Sequence, residues 1–173
     1  MTLDIDPDQA YWLELRDSPA LGPNALALPS HIVIVTDQLV AAAHDDEELV
    51  AVLAHELGHI RGRHALRQLL RSAGVSTLAV AVLGDVSSMT VLAGLVPALV
   101  DARYSRQFET EADTFARRWL RTHGIPASRF DDILCRLEQR HGGSGDAGPL
   151  KYLASHPPTG ERARCTPAAP RRR

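Results

Sequence analysis

His55-Glu56-Leu57-Gly58-His59 is the stretch on which the reading of this chain turns. Two histidines four apart on a helix stand about 40° apart around its axis, so both project from one face. Each can offer an imidazole nitrogen to a single Zn²⁺ at about 2.0–2.1 Å. Glu56 follows the first histidine and can reach a metal-bound water as general base. The competing explanation is a pair of partly buried core histidines. It leaves Glu56 on a largely apolar helix without a reason.

The flanking sequence builds that helix. Asp45 or Asp46 can cap its start, and Glu48 lies three residues after Asp45, as in a capping box. Leu49, Val50, Val52, Leu53, Leu57 and Ile60 supply an apolar stripe at helical spacing. Arg61, Arg63, Arg67 and Arg71 wet one side of the later turns, and the pattern predicts a helix from about residue 46 to 72. Gly58 is a poor helix former, by about 1 kcal/mol against Ala. A small residue there makes sense if another backbone or the metal passes close.

A zinc enzyme of this kind needs three protein ligands and an open position. A second helix, predicted over Ala102 to His123, offers the third; Gly124 ends it and Pro126 prevents its continuation. Glu109 and Asp113 are four apart and share a face. With Glu109 as ligand, Asp113 can accept the free N–H of a zinc-bound imidazole and fix its tautomer. Glu111 competes for the ligand role but points about 200° away from Glu109, so both cannot face the metal. The preference for Glu109 rests on the use it gives Asp113. Phe108, Ala112, Phe115, Ala116 and Trp119 show that the helix also packs, which an acidic solvated face would not require.

His55-Glu56-Leu57-Gly58-His59 followed by Ser105-Arg106-x-x-Glu109-x-x-Ala112-Asp113 resembles the gluzincin metallopeptidases typified by HtpX and the CAAX prenyl endopeptidase. Upstream, Asn24-Ala25-Leu26-Ala27-Leu28-Pro29 and then Ile32-Val33-Ile34-Val35-Thr36 are similar to that family's strand before the metal helix. Downstream, His156-Pro157 with Arg162 looks like its late His-Pro…Arg motif. The four blocks keep the family's order across residues 24–162. One departure is visible: Ser30-His31 stands where the family often has Gly-Gly, which bears on the local turn.

The resemblance implies roles residue by residue. His55, His59 and Glu109 would bind one Zn²⁺ per chain, and Glu56 would activate water. Asp113 would support a ligand from behind. His156 would sit near the metal, either polarising the scissile carbonyl or occupying the open zinc position in a resting form, and Arg162 would anchor its loop. Substrate contacts are expected at Asn24 and Ala25 and along Ile32, Val33, Ile34 and Val35, where an edge strand can pair with an extended peptide. The implied fold is α+β and mainly α-helical: a zincin-type metalloprotease domain with a small sheet and long active-site helices. The implied function is a zinc endopeptidase acting on unfolded or membrane-associated proteins. The alternatives are a zinc-stabilised, non-catalytic interaction domain, against which the intact Glu56 speaks, and a metal-free helical packing domain.

The rest of the chain sets limits. At 173 residues it suits one domain with a real core, and a net charge of −2 gives no electrostatic footprint for nucleic acid. Residues 1–23 read as a polar lead-in whose Tyr11, Trp12, Leu13 and Leu15 pack on the domain. The catalytic domain is expected over 24–165, and 166–173 as a disordered basic tail ending in Arg171-Arg172-Arg173. Residues 31–36 give the clearest strand, and Thr36-Asp37 to His44 a short helix. A later helix is expected over 127–141 with Ser128 near its cap, then a Gly-rich loop to Pro149 and a short helix to Ser155. Cys135 falls on the apolar side of the later helix with Phe130, Ile133, Leu134 and Leu137, as a small core residue; with Cys165 it follows no metal or redox spacing, and no disulfide can be inferred.

Met1 to Ser18 is acidic and lacks the apolar core of a signal peptide. Members of the resembled family commonly carry membrane helices before this region, so a membrane association through an absent N-terminal anchor is one expectation. The segment 73–100 is another: it has no Lys or Arg and a single acid, Asp85. A single bilayer crossing there would put His59 and Glu109 on opposite sides, so two short apolar helices turning near 84–88 are expected, as buried core or as a hairpin that dips into a membrane.

Overall fold

The computed structural model describes residues 11–28, 31–68, 105–143 and 156. The fold is α+β and mainly helical, with one small sheet. Three strands form it: β1 (Trp12–Arg16), β2 (Ala25–Ala27) and β3 (Ile32–Thr36). Their order is β1-β3-β2, with β1 parallel and β2 antiparallel to β3. Residues 12–16 therefore do more than pack on the domain as a lead-in. They pair with β3 from Trp12↔Ile32 to Arg16↔Thr36.

The β2–β3 hairpin closes through Leu28 N–H donating to the Ile32 carbonyl at 2.8 Å, with His31 at φ 60 in the turn. Thr36 then ties three pieces of backbone together. Its hydroxyl donates to the Gly22 carbonyl at 2.8 Å and accepts from Asn24 N–H at 2.9 Å and Leu39 N–H at 3.2 Å. The last of these caps helix α1 (Asp37–Ala42), two residues shorter than the sequence suggests.

Helix α2 (Asp46–Arg61) carries the histidine pair. Asp45 is its cap and accepts the Glu48 N–H at 3.0 Å. Glu48 reaches back one residue further than a capping box requires, taking His44 N–H at 2.7 Å. The buried Glu48 carboxylate is balanced by Arg136 of α4 (Ser128–Gly143), which grips both its oxygens. Arg129 of the same helix holds Glu47 at 2.7 Å and Asp45 at 3.3 Å. The start of α2 is thereby fixed to α4. The helix does not run to residue 72. Gly62 closes it with a bond to the Gly58 carbonyl, Arg63 takes φ 50, and residues 64–68 form a new helical stretch.

Helix α3 (Arg106–Thr122) is capped by Ser105, so it begins after the 102 expected from sequence, and ends at Gly124 with φ 72. It crosses α2 at Gly58. A Cβ on Gly58 would lie 2.9 Å from Ala112 Cα and 3.1 Å from its carbonyl oxygen, and both are backbone atoms. Gly58→Ala gains about 1 kcal/mol of helix propensity. It must also push two helices apart, and such overpacking typically costs about 1–3 kcal/mol. The expected result is a lower melting temperature; a stabilised variant would show that α2 and α3 separate freely.

The core lies between α2, α4 and the sheet, with Leu39, Leu57, Leu120, Phe130, Ile133 and Leu137 fully buried. Cys135 is half-buried on α4 and disulfide-bonded, not the free core thiol that the helix pattern suggests. α4 runs on to Gly143, into the stretch expected to be loop. Among the described residues, no helix is long and apolar enough to cross a membrane. The 73–100 segment, the short helix before His156, Arg162 and the 166–173 tail lie outside the described residues.

Candidate metal centre

α2 aims His55, Glu56 and His59 at α3, which returns Glu109 and Asp113; His156 closes the group from a separate segment. All six residues are buried, at 1% exposure or less. His55 Nε2 lies 3.0 Å from His59 Nε2, 3.5 Å from Glu109 Oε2 and 3.4 Å from His156 Nδ1. Glu109 Oε1 lies 3.3 Å from His59 Nε2 and 3.1 Å from His156 Nδ1. One ligand atom from each of His55, His59, Glu109 and His156 fits within 4.8 Å of the others.

These separations can be tested against a metal. Four ligands at about 2.0–2.1 Å from a tetrahedral ion stand about 3.3–3.4 Å from one another. The five distances given, 3.0 to 3.5 Å, bracket that value. Three imidazoles and a carboxylate also suit zinc in donor chemistry. The residues therefore fit Zn²⁺.

The charges around the point agree. Burial pushes the Glu109 carboxyl up, but His156, His55 and His59 outweigh it and hold Glu109 below the usual carboxylate range. Burial disfavours charge on His55 too, yet Asp113 and Glu109 lift it to about 9. With no such surplus of acid, burial takes His59 well below its ordinary value. The two carboxylates thus favour positive charge on His55 and leave His59 neutral.

Behind His55, Asp113 Oδ1 lies 3.0 Å from Nδ1, a close but bent contact. Phe130 stacks on the same ring at 5.1 Å. Glu56 is fully buried; among the described residues its carboxylate meets the Ala27 backbone N–H only loosely, short of full hydrogen-bond geometry, and His156 Nε2 is 3.5 Å away. Burial raises the Glu56 carboxyl above its ordinary value, against the pull of His156 and His55. Glu111 stands apart from the cluster, 40% exposed. His64, which the sequence did not single out, is buried against His59.

The sheet changes the substrate contacts expected from sequence. β3 is the central strand, paired on both sides, so Ile32, Val33, Ile34 and Val35 offer no edge. The edge beside α2 is β2. In its antiparallel register Leu26 and Leu28 turn their backbone groups to β3, which leaves those of Ala25 and Ala27 pointing outward. Asn24, just before β2, is fully buried with its carboxamide unpartnered among the described residues. A cavity of about 480 Å³ opens beside His59 and Ala27, with Tyr11, His31, Arg61 and Leu66 also on its wall.

Known proteins share this arrangement of sequence. The chain is 30% identical over 145 residues to the metalloprotease YcaL of Escherichia coli, covering 81% of this chain and 55% of that protein. It is 29% identical over 148 residues to the mitochondrial metalloendopeptidase OMA1 of Schizosaccharomyces pombe, covering 82% and 42%. Over 150 residues it is 29% identical to the E. coli metalloprotease LoiP, covering 81% and 56%. The chain thus spans about half the length of these relatives. The profile of peptidase family M48 matches residues 5–166, nearly all of the sequence and every residue of the cluster, and this protein belongs to that family.

Proposed function

We propose that the chain is a zinc endopeptidase in which Glu56 is the general base. The observation that carries this is a buried carboxylate, held among the described residues by no more than a loose Ala27 N–H contact, beside three donors that converge at zinc spacing. His55, His59 and Glu109 would hold the metal. Zinc supplies a Lewis acid there and brings the pKa of water toward about 7. Glu56 takes the water's proton during attack on a peptide carbonyl and passes it to the leaving amine. A raised Glu56 pKa suits both halves of that task. Asp113 fixes the His55 tautomer so that Nε2 keeps its lone pair for the metal.

The outward edge of β2 would receive the substrate as an added strand, with backbone groups of Ala25 and Ala27 as its partners. The cavity beside His59 would take a substrate side chain. Backbone pairing selects little by sequence, which suits unfolded proteins as substrates. Action near a membrane, and a closer kinship to HtpX and the CAAX prenyl endopeptidase, rest on motif order and on the composition of 73–100. The test is cleavage of an unfolded protein that stops with a chelator and returns with zinc. Zinc uptake without cleavage of any unfolded substrate would favour a non-catalytic, zinc-stabilised domain.

His156 takes two parts in this scheme. At rest its Nδ1 holds the fourth corner of the cluster; with substrate bound the ring leaves that corner and donates to the developing oxyanion. His156→Ala is therefore expected to keep its zinc and to lower both kcat and KM. KM falls because substrate no longer competes with the ring, and kcat falls because a donor is lost. If neither constant changes on several peptides, His156 is an ordinary loop histidine.

A further inference from the structure

His64 is a buried histidine that the proposed mechanism does not use. Its Nδ1 lies 2.9 Å from His59 Nδ1, and its Nε2 lies 3.0 Å from Glu111 Oε2. We propose that His64 and Glu111 form a positioning relay that fixes the tautomer and ring orientation of His59 from behind, as Asp113 does directly for His55. The inference rests on the zinc reading of the cluster.

The proton count follows from the contacts. A carboxylate only accepts, so the Glu111 contact assigns a proton to His64 Nε2. With one proton on the ring, His64 Nδ1 presents a lone pair. Two ring nitrogens 2.9 Å apart bond only if one donates, so His59 carries its proton on Nδ1. His59 Nε2 then keeps its lone pair and faces the other donors. The opposite arrangement would place a proton on His59 Nε2, between His55 Nε2 at 3.0 Å and Glu109 Oε1 at 3.3 Å, where the metal belongs.

The surroundings hold the relay in place. His64 stacks on Phe108 at 4.5 Å and 7°, and Arg67 lies over the same ring at 4.3 Å. Glu111 takes further hydrogen bonds from Arg67 Nη1 at 3.1 Å and Gln107 Nε2 at 3.0 Å, so three donors fix a side chain that is 40% exposed. Gly62 makes the room. A Cβ there would lie 2.1 Å from His64 Nε2, although the Gly62 backbone is ordinary helix at φ −73. The break after α2 thus has a steric purpose: it folds His64 back beneath His59.

The test compares His64→Phe, which keeps a ring for stacking but cannot accept a hydrogen bond, with His64→Gln, whose amide oxygen can. Zinc affinity is measured by chelator competition, and the melting temperature on the metal-free chain. His64→Phe is expected to bind zinc about 10–100-fold more weakly, the usual loss for an outer partner. Its metal-free melting temperature should stay near wild type, and His64→Gln should recover most of the affinity. Glu111→Ala, at a half-exposed site that folding tolerates, should weaken zinc by about threefold or more, a smaller loss than that range because His64 itself remains. Wild-type affinity in both His64→Phe and Glu111→Ala overturns the relay while leaving the zinc site intact. Equal weakening in His64→Phe and His64→Gln, with equal loss of metal-free melting temperature, also overturns it and makes His64 a packing residue. A wild-type chain that takes up no zinc overturns the zinc reading and the relay with it.

Discussion

Glu56→Gln is expected to keep its zinc and to lose at least about 10²–10⁴-fold in turnover of an unfolded protein. The amide preserves the volume of the carboxylate in a fully buried place. It cannot accept a proton from water. The four metal-facing donors do not include Glu56, so the metal should stay. Folding should not suffer either. Among the described residues the Glu56 oxygens make only a loose contact with the Ala27 N–H, which the amide oxygen of Gln can also accept. It removes a buried titratable group whose burial favours the neutral form in any case. Zinc content by metal analysis and kcat/KM on one substrate are the two measurements. Near-wild-type turnover in a zinc-loaded variant would end the general-base assignment.

The parts of the site that were legible in the sequence are those written at helical spacing. His55 and His59, and Glu109 and Asp113, are four apart, and each pair meets its partners because α2 and α3 cross at Gly58. Gly58 itself was readable as a close approach of another backbone or the metal, and the structure brings the Ala112 backbone there. His64 was not readable. Five residues separate it from His59, about 140° around a continuous helix, which puts the two on different faces. Only the break at Gly62 and Arg63 brings their rings together, and the apolar pattern continuing past residue 63 hides that break.

The sheet shows a different limit. Ile32-Val33-Ile34-Val35 is the clearest strand because it is apolar throughout, and that composition belongs to a strand with neighbours on both sides. Edges carry weaker signals. β1 mixes Glu14 and Arg16 with its apolar residues and leaves Trp12 69% exposed, while β2 has only three residues. An edge strand is found by its partner, and here the parallel partner of β1 lies 20 positions later, as in Trp12↔Ile32. A search for the substrate edge that begins with the strongest strand therefore selects the wrong one. Which strand is an edge follows from topology and not from β propensity.

Glu109→Ala is expected to abolish stoichiometric zinc binding, and with it all proteolysis. Glu109 is the one carboxylate among the four donors, and its two oxygens lie within 3.1 to 3.5 Å of all three histidines. Without it, three imidazoles remain packed in a buried space with no carboxylate among their metal-facing donors, Asp113 lying behind His55 and Glu56 on the far nitrogen of His156. The variant loses a metal ligand and the negative charge that draws a dication, so its zinc affinity should fall much further than the outer-partner range of about 10–100-fold. Glu111→Ala is the control, because its carboxylate is two residues away in sequence and points to His64 and Arg67 instead. At saturating zinc it should still bind one ion. The two variants have the same nominal change in charge, so nonspecific electrostatics would affect them alike. Equal loss of zinc from both would show that the ligand is not Glu109 alone, and full retention in Glu109→Ala would remove the carboxylate from the metal site altogether.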